Sequence, residues 1–240
     1  MNDFLEKFNS RGVVKKICFN YDRINLTGTM KLMLKKFLEI YHKQNIVLLS
    51  GHNDTFIQKR ELVSAGKSRL LLLYPNVAEF TEACLRNDTN NASIVCLLEN
   101  DVCNILFTGD LEETGWDKLL KRIPELECNI LKMPHHGAFY DEGKIIGLRK
   151  VVEVLKPETV IISSGENQRY RHPDRKTIQL LNEKNIKVYC TEFADLCHCN
   201  MNEFEGKCYG DIKVIVSNYT YEFKTEVNNL SKFSNIVYKG

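Results

Sequence analysis

The sequence has no long hydrophobic run, no strong charge imbalance, no internal repeat and no low-complexity linker. Apolar runs such as residues 70–73 are far too short to cross a bilayer, and the polar start of the chain lacks the apolar segment of a signal peptide. We therefore expect no membrane association and a cytoplasmic location. The formal net charge of +2 does not indicate a nucleic-acid-binding protein, and it leaves the class of partner open.

The composition is that of one large folded domain. Hydrophobic residues make up 43% of the 240-residue chain and charged residues 27%, which is typical of globular proteins. We expect a single α/β domain over residues 1–225 and a loosely ordered tail over residues 226–240. Periodicity predicts strands at 13–19, 46–49, 69–74, 93–98, 104–107, 129–133, 160–163, 187–189, 212–216 and 219–223. It predicts helices at 27–43, 116–123, 144–155 and 174–183.

The nine cysteines fall into two groups. Five stand singly among apolar neighbours, where a reduced thiol behaves as a small hydrophobic side chain: Cys18, Cys84, Cys96, Cys103 and Cys128. The other four cluster within nineteen residues: Cys190, Cys197, Cys199 and Cys208. They could form a structural zinc site, although their spacing is not the usual paired Cys-x2-Cys, and a loop of ordinary reduced cysteines is the equal alternative.

Two predicted strands end in turns that carry metal-ligating residue types. The strand at 104–107 is followed by Thr108-Gly109-Asp110, which presents a carboxylate at a carboxyl-terminal strand end; the alternative is that Asp110 caps the next helix. The strand at 129–133 is followed by His135 and His136 on a turn closed by Gly137. Two adjacent histidines at a strand end are hard to explain by packing, and neutral imidazole is a favoured zinc ligand.

A third strand end leads into a loop over residues 163–173. The loop carries amide, guanidinium, phenol and imidazole groups that suit an anionic substrate, and its candidate substrate-binding residues are Asn167, Arg169, Tyr170 and Arg171. His172 could donate a proton to a leaving oxygen or complete a metal shell. Alternatively, His172-Pro173 only begins a helix, with Pro173 in its first turn and Asp174 favoured by the helix dipole.

Together, these segments resemble the metallo-β-lactamase superfamily, and most closely the C-terminal domain of bacterial DNA-uptake (competence) channel proteins. The resemblance covers about residues 90–191. The family pattern is an Asn/Ser turn, Thr-Gly-Asp, Lys-x-Pro-His-His-Gly, Ser-x-Gly-x-Asn-x-x-Tyr-x-His-Pro and a strand ending in Thr. The chain matches it at Asn90, Ser93, 108–110, 132–137, 163–173 and 188–191.

The resemblance implies a four-layer αββα sandwich with a two-metal site. Asp110 would bridge the two ions, one of His135 or His136 would ligate one of them, and His172 would line the substrate site, so that Asp110 and His172 are the expected catalytic residues. The implied cofactor is a divalent metal, zinc above all and manganese as an alternative. The implied reaction is hydrolysis of a phosphodiester, in nucleic acid, by a metal-activated hydroxide.

The family's leading signature, an early His-x-His-x-Asp-His or His-x-x-x-Asp-His cluster, is not matched. The early histidines are His42, on a Lys-rich helix end, and His52, which we interpret as a loop residue because it lies too late in the chain. Family order places Met1 just after the missing cluster, so we expect the first strands of the fold to be lacking. A partner chain, a non-catalytic member or an internal start would each explain this.

Two functions follow as hypotheses. The first is a metal-dependent phosphodiesterase or nuclease whose site is completed by a partner chain or an upstream segment. The second is a non-catalytic binding or scaffolding subunit that keeps the fold without the chemistry. An open sheet edge promotes association, so we expect a protein partner or a second copy of the chain to cover the N-terminal edge.

Overall fold

The computed structural model describes residues 16–20, 27–44, 47–50, 59–141, 143, 145–164, 172–191 and 210–225. In chain order, its strands are β1 (Lys16–Phe19), β2 (Val47–Ser50), β3 (Arg60–Ala65), β4 (Ser68–Tyr74), β5 (Val95–Glu99), β6 (Ile105–Phe107), β7 (Ile130–Lys132), β8 (Thr159–Ile162), β9 (Lys187–Cys190), β10 (Ile212–Val216) and β11 (Tyr221–Thr225). Its α-helices are α1 (Gly28–Gln44), α2 (Val77–Leu85), α3 (Glu113–Arg122), α4 (Leu148–Leu155) and α5 (Arg175–Glu183).

Seven strands form one mixed sheet in the order β3-β4-β5-β6-β7-β8-β9. Neighbours from β3 to β6 are antiparallel, whereas β6, β7, β8 and β9 run parallel to one another. A parallel pair, β1–β2, and an antiparallel hairpin, β10–β11, stand outside this sheet. The architecture is therefore mixed α/β, as predicted, with the parallel half of the sheet built from the segment that carries the candidate site.

One face of the sheet is covered by helices α3, α4 and α5. Alternate strand residues point to this face because side chains in a strand alternate with a period of two, and Leu106, Leu131 and Val160 are fully buried there. Trp116 of α3 is fully buried in the same cluster, and its indole N–H donates to the carbonyl of Leu111 at 3.1 Å. The helices and this face of the sheet therefore share one hydrophobic core.

The opposite face is partly covered by the β10–β11 hairpin. Phe223 packs against the buried cluster of Ile105 and Ile130, and its ring stacks on Tyr189 with 4.7 Å between centroids. The hydroxyl of Tyr221 donates to the Glu158 carboxylate at 2.6 Å. No helix in the part of the chain that the structure describes is long and apolar enough to cross a membrane.

Two elements were not predicted from the sequence. Helix α2 begins with a capping box, in which Asn76 and Glu79 each accept from the other's backbone N–H, and this signature could have been recognised. Strand β3 has mostly exposed residues and lacks an apolar pattern. The predicted helix at 144–155 was too long, because α4 begins at Leu148 after Gly147, and β11 begins two residues later than predicted.

The cysteine predictions are tested in part. Cys84, Cys96, Cys103 and Cys128 are buried and Cys18 is half-buried, which agrees with their assignment to the core. Cys190 is fully buried at the end of β9. The other members of the proposed zinc cluster, Cys197, Cys199 and Cys208, lie outside the described residues, as do the predicted tail and His52.

Candidate functional site

Three loops meet at one edge of the sheet because β6, β7 and β8 are parallel and the loops follow their carboxyl ends. This edge is where α/β sheets place their binding sites. The loops are bonded directly to each other: the backbone N–H of His135 donates to the carbonyl of Gly109 at 3.1 Å, and that of Asp174 donates to the carbonyl of Gly137 at 3.0 Å. Asp110, His135, His136 and His172 are thereby brought to the same edge of the sheet.

The Asp110 loop is fixed by contacts on both sides. Gly109 has a φ of +55°, and a Cβ at this position would lie 2.9 Å from the Cβ of Ser93. The backbone N–H of Asp110 donates to the Ser93 hydroxyl at 3.0 Å, and the Thr108 hydroxyl donates to the carbonyl of Lys132 at 2.7 Å. The N-cap of α3 is Glu112, so Asp110 does not occupy the capping position that was its alternative role.

The histidine turn has an unusual backbone. His135 has φ 44° and ψ 47°, and His136 has φ 53° and ψ 20°, so both lie in the left-handed region. Each such residue costs on the order of 1–3 kcal/mol when it is not glycine. Gly137, with φ 85°, completes the turn, and a Cβ there would lie 2.8 Å from the Cβ of Pro173. The surrounding contacts therefore hold two imidazoles in a conformation that the residues alone disfavour.

The hydrogen bonds of His136 define its tautomer. Its Nδ1 lies 2.7 Å from the carbonyl oxygen of Ser163, which can only accept, so Nδ1 carries the proton. In the neutral ring, Nε2 then holds a lone pair, and this atom is 3.7 Å from Oδ1 of Asp110. Both side chains are half-exposed. Two electron-pair donors thus face each other at the strand end.

His135 is held by a different partner. Its Nδ1 lies 2.6 Å from Oε1 of Glu112, and the same oxygen accepts from the side-chain amide of Asn90 at 3.0 Å. The ring of His135 packs edge-on against that of His172, with 5.5 Å between centroids. Burial lowers the pKa of His172 below its usual 6.5, and the neighbouring imidazoles of His135 and His136 lower it further, although Asp174 and Asp110 oppose the shift.

A lysine lies behind the same turn. The ammonium of Lys132, at the end of β7, donates to the carbonyl of Met133 at 2.9 Å. Burial lowers its pKa, and the nearby carboxylate of Asp110 partly opposes this change. Neither Lys132 nor Glu112 was among the predicted site residues. Lys132 belongs to the Lys-x-Pro-His-His-Gly pattern and Glu112 follows Asp110 by two positions, and these were the only signals available.

The donor set suits a divalent cation only in part. In the part of the chain that the structure describes, no three His, Cys, Asp or Glu side chains form a group that could hold a metal ion. Two ligands of one zinc ion, each bonded at about 2.0–2.2 Å, can lie up to roughly 4 Å apart, and the 3.7 Å between Asp110 Oδ1 and His136 Nε2 is within this limit. This pair fits two positions of a metal shell.

The predicted substrate-binding loop is not tested. Asn167, Arg169, Tyr170 and Arg171 lie outside the described residues, so the structure reports only the two ends of their loop. At its start, the backbone N–H of Ser164 donates to the hydroxyl of Thr191 at 3.0 Å. At its end, Asp174 caps α5 by accepting from the backbone N–H of Lys176 at 2.8 Å. The loop therefore begins and ends beside the candidate site.

Comparison with known proteins gives one partial match. No protein-family model matches the chain. A stretch of 103 residues is 36% identical to ComE operon protein 3 of Bacillus subtilis (strain 168). The match covers 43% of this chain and 13% of that protein's length. It supports the link with DNA-uptake (competence) proteins that the motifs suggested, for this segment of the chain.

Proposed function

We propose that this chain is a metal-dependent hydrolase of phosphodiester bonds in nucleic acid. The observation that carries the proposal is the pair of facing donors, Asp110 Oδ1 and His136 Nε2, at the carboxyl ends of parallel strands. The tautomer of His136 supports it, because the Ser163 carbonyl directs the lone pair of the ring to the Asp110 side. Histidine ligands of metals commonly donate their other N–H to such an acceptor.

We also propose that the fold is a metallo-β-lactamase-like αββα sandwich. The seven-stranded sheet with α3, α4 and α5 on one face would supply two of the four layers. Contacts of the N-terminal segment support a second β layer on the other face: the side-chain amide of Asn20 donates to the carbonyl of Ala92 at 2.7 Å, and the nearby Cys18 adds to the rise in the pKa of Cys96 that burial causes. Phe19 packs against Phe37 of α1, which would form the fourth layer.

In this proposal, Asp110, His136 and His172 each have a role in binding or catalysis. Asp110 and His136 would hold a divalent ion, zinc or manganese, which supplies an activated hydroxide and polarises the phosphate when it is bound. Burial and the imidazoles of His135 and His136 lower the pKa of His172, which favours its neutral ring, and a neutral imidazole can accept a proton or donate a hydrogen bond to a substrate oxygen. Further metal ligands would come from His135 or from a partner chain.

DNA is the substrate that the similarity favours. The relative carries the name ComE operon protein 3, and the motifs resemble those of DNA-uptake channel proteins. Because the match spans only 13% of that relative, we do not carry over its activity as a whole. The chemistry is therefore proposed from the site, and the substrate from the resemblance.

The test combines metal analysis with hydrolysis assays. We would measure bound metal, and then turnover of bis(p-nitrophenyl) phosphate and of single-stranded DNA with Zn²⁺ or Mn²⁺, for the chain alone and with any co-purifying partner. Asp110→Asn and His136→Ala should each lower kcat/KM by about 100-fold or more, since even residues behind metal ligands cost roughly 10- to 100-fold. Thermal unfolding should be little changed.

Asp101→Asn is the matched control. Asp101 lies in the β5–β6 turn at the other end of β6, where its exposed carboxylate pairs with the exposed ammonium of Lys67 at 3.5 Å. Its substitution should leave turnover unchanged. Equal turnover in the Asp110, His136 and Asp101 variants would contradict the proposal. A folded protein that binds no metal and hydrolyses neither substrate, even with its partner, would favour the scaffolding alternative.

A further inference from the structure

Glu112 connects two segments of the candidate site through one carboxylate oxygen. Oε1 of Glu112 lies 2.6 Å from Nδ1 of His135 and accepts from the Asn90 side-chain amide at 3.0 Å. The backbone N–H of Glu112 donates to the side-chain oxygen of Asn91 at 3.3 Å, so the residue is held at both its main chain and its side chain. The carboxylate is one-third exposed and the imidazole one-quarter exposed.

This arrangement determines which nitrogen of His135 carries the proton. An ionised carboxylate only accepts hydrogen bonds, so Nδ1 of His135 must be the donor. When the ring is neutral, Nε2 then holds the lone pair. A histidine in water prefers the opposite form, with the proton on Nε2, so the preference has to come from the protein.

We propose that Glu112 is a positioning residue that holds His135 in the Nδ1–H tautomer, with Nε2 as an electron-pair donor beside His172. That Nε2 binds a metal ion or accepts a proton from the attacking water rests on the proposed function. The assignment of the tautomer does not rest on it. Asn90 would restrict the Glu112 carboxylate to the orientation that accepts from His135. Hydrogen bonds then connect Asn90 to Glu112 and Glu112 to His135, and the ring of His135 contacts the ring of His172.

A purely structural role for Glu112 makes different predictions. Glu112 is the N-cap residue of α3, but its side chain does not cap the helix. Its negative charge would still interact favourably with the helix dipole. If that were its only role, replacing Glu112 would change the stability of α3 and leave the tautomer of His135 as it is. The proton position therefore separates the two roles.

The test is nitrogen NMR of histidine-labelled protein, without metal and at a pH where the ring is neutral. Spectra that correlate ring protons with ring nitrogens distinguish the two tautomers, and a His135→Gln variant assigns the signals. We expect the Nδ1–H form in the wild-type chain. Glu112→Gln keeps an acceptor oxygen and should retain this form, whereas Glu112→Ala should return most of the population to the Nε2–H form.

His136 and Glu113 provide controls. His136 takes its Nδ1 partner from the Ser163 carbonyl, so its tautomer should be the same in every Glu112 variant. Glu113→Ala removes the next carboxylate of the same helix and should leave His135 unchanged. Glu112→Met, which keeps the side-chain volume without an acceptor, replaces Glu112→Ala if that variant does not fold.

The outcomes separate this inference from the proposed function. An unchanged His135 tautomer in Glu112→Ala or Glu112→Met would overturn the inference, whatever the activity. A shifted tautomer in a protein without any hydrolase activity would support the inference and count against the proposed function. If the inference and the proposed function are both correct, Glu112→Ala should lower kcat/KM by about 10- to 100-fold, and Glu112→Gln should have a much smaller effect.

Discussion

Gly109→Ala should destabilise the protein because two separate costs meet at this position. Gly109 has a φ of +55°, a backbone region that costs an alanine about 1–2 kcal/mol. Its new Cβ would lie 2.9 Å from the Ser93 Cβ and 3.0 Å from the Ser93 hydroxyl. Both contacts are too close, so Ser93 or the loop must move, and such overpacking costs roughly 1–3 kcal/mol.

Gly66→Ala is the matched control for the backbone cost. Gly66 has nearly the same φ, +58°, but a Cβ there meets no atom within 4 Å. A lower entropy of the unfolded chain offsets part of the strain in both variants by about 0.4–1 kcal/mol. We therefore expect a net loss of about 1 kcal/mol for Gly66→Ala and of roughly 2–4 kcal/mol for Gly109→Ala.

Urea unfolding monitored by the fluorescence of the single Trp116 measures both free energies of unfolding. The difference between the two free energies measures the cost of the close contact with Ser93, because both variants have the same backbone cost. A Ser93→Gly substitution in the Gly109→Ala background should recover part of the loss by removing the Cβ that is too close. Equal losses of the free energy of unfolding in Gly109→Ala and Gly66→Ala would refute the reasoning, since they would show that Ser93 can move away from the new Cβ without an energetic cost.

Three further predictions concern the core. Trp116→Ala should lower the free energy of unfolding by about 3–5 kcal/mol, because the ring is fully buried and its N–H is bonded to Leu111; a loss under 1 kcal/mol in urea titrations would contradict this. Burial raises the pKa of Cys96 and of Cys128 to about 12, so both thiols should resist iodoacetamide at pH 8.5 until the chain unfolds. The same shifts should make the free energy of unfolding fall as the pH rises above 9, where only the unfolded thiols lose protons; rapid alkylation of Cys96 or Cys128 in the folded chain would disprove the shifts.

The parallel half of the sheet could be predicted from the sequence because each of its strands is a short apolar run followed by a polar turn. The turns after β6, β7 and β8 contain Asp110, His135, His136 and His172, and parallel neighbours place their carboxyl ends at one edge. Grouping these residues required only the strand assignment and the parallel pairing. That part of the candidate site therefore follows from local sequence patterns.

Strand β3 of the antiparallel half and the hydrogen bonds of the site could not be predicted in this way. Strand β3 is largely exposed, so it lacks the alternating apolar pattern by which strands are recognised. The bond between Glu112 and His135 joins side chains 23 positions apart, and it depends on the positive φ of a histidine, which no local preference indicates. Tertiary contacts determine both features.

Packing alone does not explain why two histidines occupy the strained His135–His136 turn. Glycine or asparagine would adopt these positive φ angles at lower cost, so the backbone alone gives no reason for two imidazoles there. Each ring instead obtains its Nδ1 partner from another loop, His136 from Ser163 after β8 and His135 from Glu112 before α3. The strained turn thus places two Nε2 lone pairs at the edge of the sheet, one facing Asp110 and one beside His172. A turn that only connected β7 to α4 would gain nothing from this arrangement, whereas a site that binds a cation or a proton would depend on it.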